Sequence, residues 1–442
     1  MDLNALDQTP KQDDYLFGRG PAWFALAMTL ALMIFDYVDR QVIVSLFPYL
    51  KAEWHLSDTQ LGALVSVVSI TVALGALPVA LFADRVSRVK SIVAMAAVWS
   101  LATLSCMWAR GYGALLGARA MVGLGEAGYG SVGAAVIASH FPARLRGAVL
   151  AAFFASASVG SVLGVLLGGM IAARWGWQAA FGVVGVPGLL LALLYLKVRD
   201  YQTVAMTPAL DAKRQSLLAA TLHIVKVLTR APTMLWVCIG GAAQLIVVSA
   251  LWSWLPSFLN RVHGVAPDKA GIQAALVVLA GAAGAVVWGA VVDRAGMRRP
   301  RLKLATMALL CLLSMVVLVT AFTLAAGSAA QFALIALGGF MATCTVGPVS
   351  AIVIDVVHPG VRATGSSVLA LFQNLFGLAA GPLVAGLLSD TFGLVAALSA
   401  TPLFALLAVG AFMLAARSYE TDKAGAAEPP PAPTLPRAAQ AA

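Results

Sequence analysis

Twelve apolar runs, each long enough to cross a bilayer as a helix, follow one another along this chain. They fall at about 22–47, 58–83, 91–109, 112–139, 146–172, 178–198, 233–259, 268–292, 303–325, 329–355, 364–389 and 394–416. A hydrocarbon core about 30 Å thick needs about 20 helical residues to span it. Backbone groups in lipid must find partners within their own structure, so only helices and closed barrels cross it. The two-residue alternation of a membrane barrel is absent. The expected fold is therefore an all-α integral membrane protein with twelve transmembrane helices. Composition agrees: charged residues make up 11% of the chain, against about 25% in soluble domains.

A polar stretch at 199–232 divides the runs into two sets of six. The expected organisation is an N-terminal segment (1–21), a first six-helix bundle (22–198), a linker (199–232), a second bundle (233–416) and a disordered Ala/Pro-rich tail (417–442). In the linker, Leu217, Leu218, Leu222, Val225 and Leu228 alternate with Lys213, Arg214, Lys226 and Arg230, the pattern of an amphipathic helix lying in the membrane interface. The first twenty residues are polar, with no cleavable signal sequence expected.

The chain has a formal net charge of +10. Its distribution points to membrane orientation rather than to nucleic acid. Of 29 Lys and Arg, 22 lie in the termini and even-numbered loops. Only Lys51, Arg110, Arg174, Arg261 and Lys269 lie in odd loops, and Arg40 and Arg119 lie inside spans. The positive-inside rule then puts both termini in the cytoplasm, with the chain in a bacterial-type inner membrane. Cys106, Cys238, Cys311 and Cys344 sit far apart inside spans and read as small apolar packing residues. No metal spacing, nucleotide loop or catalytic carboxylate pair is present, so neither a cofactor nor an enzyme activity is expected.

The halves repeat. Asp84-Arg85 after the second run matches Asp293-Arg294 after the eighth, at an offset of 209, and Gly62 maps onto Gly271. Later in each half, Gly160, Gly164 and Pro142 map onto Gly377, Gly381 and Pro359 at an offset of 217. A duplicated six-span unit is the sequence sign of a rocking architecture with its binding site between the halves. These loops resemble the acidic-Arg turn of the major facilitator superfamily. The first copy has Asp84, Arg85, Arg88 and Lys90, with Ala80 and Ser87 in place of glycines; the second keeps Gly289, Asp293, Arg294, Gly296, Arg298 and Arg299. Asp36-Tyr37-Val38-Asp39-Arg40, Leu56 to Gly62, and Arg119 followed by Gly123 to Ala127 resemble the Spinster-like branch. Sugar-acid and aromatic-acid transporters share parts of this pattern.

Five ionisable groups stand out because they interrupt apolar runs. Asp36, Asp39 and Arg40 occupy one helical face, and Arg119 and Glu126 share another about 10 Å apart along the axis. A buried charge costs about 2.5–3.5 kcal/mol on insertion scales, so such groups usually pair or line a water-filled path. A dry apolar site favours the neutral form of a carboxylate, and a nearby guanidinium favours the charged form. A protein that alternates these surroundings can carry protons. The expected proton-coupling groups are Glu126 and Asp39, with Asp36 beside them and Arg40 and Arg119 as switching partners. Arg119 is also open to the role of holding an anionic substrate. A static buried ion pair is the competing reading.

The expected substrate contacts are Arg40, Arg119, Tyr37 and Tyr129 in the first half, and Phe372 and Asn374 in the second. Trp252, Trp254, Phe258 and Gln373 are further candidates to line the second half of the cavity, and Trp252 and Trp254 are equally candidates for an interfacial belt. The resemblance implies gating roles for Asp84, Arg85 and Arg88, mirrored by Asp293 and Arg294, with Asp84 latching the cytoplasmic side near the start of span eleven. It also implies a proton-driven transporter; a charged first half facing a nearly uncharged second half suits a small anionic or lysolipid-like amphiphile as substrate, and one chain holding both repeats suits a monomer among membrane lipids. The rivals are a sugar-acid or aromatic-carboxylate symporter and, behind it, a non-transporting sensor.

Overall fold

The computed structural model describes residues 15–200, 231–323, 328–357 and 362–427, without the side chains of 77, 80–86, 298, 329, 363, 364 and 427. The linker helix expected at 213–230 lies outside the described residues. Twelve helices are long and apolar enough to cross a bilayer. They are α1 (Arg19–Trp54), α2 (Asp58–Ala76), α3 (Arg88–Cys106), α4 (Tyr112–His140), α5 (Ala143–Trp175), α6 (Trp177–Tyr195), α7 (Pro232–His263), α8 (Pro267–Met297), α9 (Leu302–Thr323), α10 (Ala330–Val356), α11 (Gly365–Phe392) and α12 (Leu394–Ala426). No strand occurs among the described residues.

The ends of these helices follow from local chemistry. Ser57 and Gln60 form a capping box at the start of α2, each side chain accepting from the other's backbone N–H, at 3.1 and 2.9 Å. Gly176 and Gly393, 217 residues apart and both at φ 84°, make the same turn after α5 and after α11. α12 runs past the boundary expected at 417, because its last turns are held. Ser418 hydrogen-bonds Thr233 (2.7 Å), Tyr419 donates to Asp355 (2.7 Å), and the Asp422 carboxylate accepts from the Thr233 backbone N–H (2.8 Å).

The repeat seen in the sequence organises the packing. α1 lies along α5, and α7 along α11. A side chain at Gly160 or Gly164 would strike the backbone oxygens of Ile34 and Val38; at Gly381 it would strike that of Ile246. Small residues on one helix thus let the backbones approach closely, which is how apolar helices gain contact where lipid offers no hydrophobic drive. The fourth helix of each half is interrupted at matching points. α4 breaks at Gly128 (φ 84°), and α10 passes through a 3₁₀ turn at Thr343–Thr345.

The halves meet through α2 on α11, α5 on α8 and α1 on α7. The first two contacts are repeat-equivalent. Gly62 abuts the carbonyl of Pro382 and Gly386 that of Asp58; Gly271 abuts the carbonyl of Val165 and Gly169 that of Pro267. All four contacts lie toward the end of the molecule that carries the odd loops.

Candidate functional site

Two helices of the first half supply the five buried charges, and the structure pairs them crosswise. Asp39 of α1 meets Arg119 of α4, and Arg40 of α1 meets Glu126 of α4. Arg119 Nη1 donates to Asp39 Oδ1 at 2.9 Å and to its backbone oxygen at 3.2 Å, while Nε points at the Leu64 carbonyl at 3.5 Å. The second Asp39 oxygen accepts from the Thr103 hydroxyl of α3. Arg119 is fully buried, and Asp39 is 1% exposed.

The second pair is looser. Arg40 Nε is 2.9 Å from Glu126 Oε2 and 3.7 Å from Asp36 Oδ1, and its guanidinium lies 5.3 Å over the Tyr37 ring. Neither Glu126 oxygen receives an aligned hydrogen bond among the described residues. The Arg40 side chain is 16% exposed, and it alone of the five has an open edge. Together the cluster holds three carboxylates and two guanidiniums. Fully ionised, it has one negative charge in excess inside a low-dielectric bundle.

The other expected contacts are dispersed. Tyr129 is buried within the first half, its hydroxyl donating to the Thr29 carbonyl at 2.7 Å and its ring packed between Trp99 and Phe153. Phe372 and Asn374 are half-buried on α11, where the chain passes through a π-helical stretch at Gln373–Leu378. Trp254 and Phe258 are neither cavity lining nor membrane belt. Both are fully buried; Trp254 packs at a tilt against Phe47 of α1 and donates to the Pro382 carbonyl at 3.0 Å. Hydropathy alone does not separate a buried tryptophan from an interfacial one.

Of the gating candidates, the Asp84 and Arg85 side chains lie outside the described residues. Arg88 is half-buried at the start of α3, Asp293 is 3.8 Å from Lys303, and Arg294 is exposed. No group of three or more metal-ligating side chains occurs among the described residues.

A second charged assembly, to which sequence reasoning gave no role, joins the halves at the odd-loop end. Asp58, at the start of α2, is 3% exposed at its side chain and takes both Arg261 guanidinium nitrogens of α7 at 2.9 Å, in bidentate fashion. Lys51 and Ser389 also donate to it. Asp390 of α11 accepts from the backbone N–H groups of Asp58 and Thr59, both at 2.8 Å, so one half caps a helix of the other. In the sequence, Asp58 reads only as a helix-start acid and Arg261 as an odd-loop base; nothing in their spacing links them.

The major facilitator superfamily model matches residues 29–379. The chain belongs to the major facilitator superfamily. It is 30% identical over 388 residues to an MFS-type efflux pump of Mycolicibacterium smegmatis, covering 86% of this chain and 87% of that one. It is 23% identical over 369 residues to a hexuronate transporter of Bacillus subtilis, covering 81% and 86%. Its fold matches the crystal structure of a bacterial homologue of the human lysosomal transporter Spinster, in an inward-facing and unoccupied conformation. That match has a TM-score of 0.80 at 23% identity and covers 92% of this chain and 99% of the other. The protein is thus a membrane transporter of this superfamily and not an enzyme, as its sequence led us to expect.

Proposed function

We propose that this transporter is proton-coupled and works by alternating access, moving a small amphiphilic or anionic organic substrate such as a lysolipid or sphingoid across a bacterial inner membrane. The observation that carries the coupling is the charge count of the buried cluster: one proton neutralises its excess negative charge. Isolated charge in a low-dielectric interior is costly, so the cluster is poised to take that proton up. Of the two proton-coupling groups, Glu126 and Asp39, Glu126 takes the proton more readily, because no aligned hydrogen bond holds its carboxylate charged, whereas Asp39 has two donors that must first let go. Protonating Glu126 releases Arg40, which then has Asp36 or an anionic substrate group to turn to.

Arg40, with its open edge, is the guanidinium we assign to an anionic headgroup; Arg119 braces Asp39. Tyr37 lies under Arg40, and Phe372 and Asn374 offer mixed polar and aromatic surface from the second half. The second half is nearly free of charge in its spans, and a path charged on one side and apolar on the other suits an amphiphile. The basic even loops favour cytoplasmic termini. The contacts at the odd-loop end then describe a state closed to the outside, with Asp84, Arg85, Arg88, Asp293 and Arg294 available to latch the opposite side when it shuts. A single chain contains both repeats, which supports a monomer as the working unit.

The likeness to a hexuronate transporter favours a second reading, symport of a sugar acid, in which Arg40 holds the carboxylate. The experiment that separates these is a thermal-stabilisation screen of lysolipids, sphingoids, sugar acids and aromatic acids. Uptake of the stabilising compound into proteoliposomes under an imposed pH gradient follows. Stabilisation by lysolipids with gradient-driven uptake supports the proposal. Uptake indifferent to the gradient overturns the proton coupling.

A further inference from the structure

Thr103 lies on α3, facing the buried Asp39 carboxylate, and Ser100 precedes it by one helical turn on the same face. Both line a narrow gap with Phe35, Trp99, Val184 and Gly185. No part of this gap is wide enough for a water molecule. Ser100 is 1% exposed, and its hydroxyl has no hydrogen-bond partner among the described residues. α6 closes over it at Gly188, where a Cβ would come within 2.5 Å of the Ser100 oxygen. Asp39 is therefore solvated by protein alone on this side.

We propose that Thr103 is a positioning residue for Asp39, its hydroxyl setting how readily that carboxylate takes up a proton. The inference rests on the reading of Asp39 as a proton-carrying group, and deepens it. The groups facing Asp39 can be named helix by helix. Arg119 approaches from α4, with Glu126 farther along; Thr103 and Cys106 approach from α3; Asp36 and Arg40 share its own helix. From α6 only Val184 and Gly185 reach the gap. Apart from Arg119, Thr103 is the only hydrogen-bond donor to the carboxylate among the described residues.

A hydroxyl suits this place because it is both donor and acceptor and turns freely. Facing a carboxylate, Thr103 donates. Facing a carboxylic acid, it accepts a hydrogen bond from the acid's O–H and turns its own hydrogen toward a carbonyl one turn back or toward Ser100. An ammonium offers no acceptor and would hold one protonation state only. Hydrogen bonds to charged groups are stronger than those to neutral ones. The Thr103 bond therefore favours the charged form, and removing it should ease protonation.

The test needs no substrate. The full chain is reconstituted in lipid, and its protonated-carboxyl infrared band is titrated against pH. Asp39→Asn identifies the Asp39 contribution. In Thr103→Val that contribution should titrate about one pH unit higher than in the wild type, and Thr103→Ser should restore the wild-type midpoint. If the valine variant fails to reconstitute, Thr103→Ala carries the same expectation. A valine or alanine variant that titrates with the wild type overturns the role of Thr103 while leaving Asp39 a proton carrier. A spectrum with no Asp39-dependent band between about pH 4 and 10 overturns both.

Discussion

Arg40 and Arg119 carry the same charge in the same bundle and face different consequences on removal. Arg119 is sealed in with Asp39, so Arg119→Ala strands a buried carboxylate. Breaking one side of a buried pair costs about 3–5 kcal/mol, and we expect a clear drop in unfolding temperature in detergent, measured by thermal shift. A wild-type melting curve would mean that Asp39 is already neutral. Glu126→Gln removes a titrating group with little change in shape. We expect it to abolish gradient-driven accumulation in proteoliposomes while counterflow exchange survives, and that exchange to be flat across the pH range where the wild type responds. Glutamine carries no proton equilibrium, so the sign does not depend on where Glu126 titrates. The five charged residues were legible in the sequence because lipid penalises charge wherever it occurs. Tyr129 was not: its burial between Trp99 and Phe153 depends on which helices become neighbours.

The glycine stripes of α5 and α11 were legible at the scale of the helix, since spaced small residues read as a contact face whatever the partner. The break in α4 was not. Glu126 ends the helix Tyr112–Glu126, and Gly128 holds φ 84° with the Val79 side chain 3.2 Å from where a Cβ would stand. Left-handed backbone costs a non-glycine residue about 1–2 kcal/mol. Gly128→Ala should lower stability by that amount or more and disturb the end of the segment that presents Glu126. Thermal unfolding checks the first effect, and the pH dependence of transport the second. The π-helical stretch of α11 has a visible cause in Pro382, which cannot donate to the carbonyl of Leu378 four residues back. Ser249 and Ser66 supply donors to the neighbouring carbonyls of Gly377 and Ala379, at 3.1 and 2.6 Å. Ser66 belongs to the other half, so its share of this support lasts only while the halves are together, whereas Ser249 holds the stretch from within its own half.

At the scale of the whole molecule, closure at the odd-loop end rests on charge on one side and on packing on the other. Asp58, Asp390, Arg261 and Lys51 tie α2, α11, α7 and α1, whereas the described contacts between α5 and α8 are made by Gly169 and Gly271 against backbone. Asp58→Asn removes the charge on which two cations converge. Hydrogen bonds to charged groups are worth about 1.5–3 kcal/mol, so a loss of about 2 kcal/mol should favour opening at this end roughly thirtyfold. Spin labels at Ala52→Cys and Thr391→Cys, both exposed positions on opposite halves, would read this as a longer-distance population in the variant. A distance distribution identical to the parent's would remove Asp58 from the closure.

What the chain determines by itself is everything that follows from solvation and period: twelve crossings, a duplicated unit, the glycine faces, and the few charges that lipid does not tolerate without partners. These are local or additive properties, readable one segment at a time. Only the tertiary structure decided that Arg119 goes to Asp39 and Arg40 to Glu126, that Thr103 completes the first pair, and that Asp58 meets Arg261, 203 residues away, across the two halves. The reason is geometric. An ion pair forms between groups that the packing of separate helices brings within about 4 Å, and that packing depends on the shapes of all the helices at once.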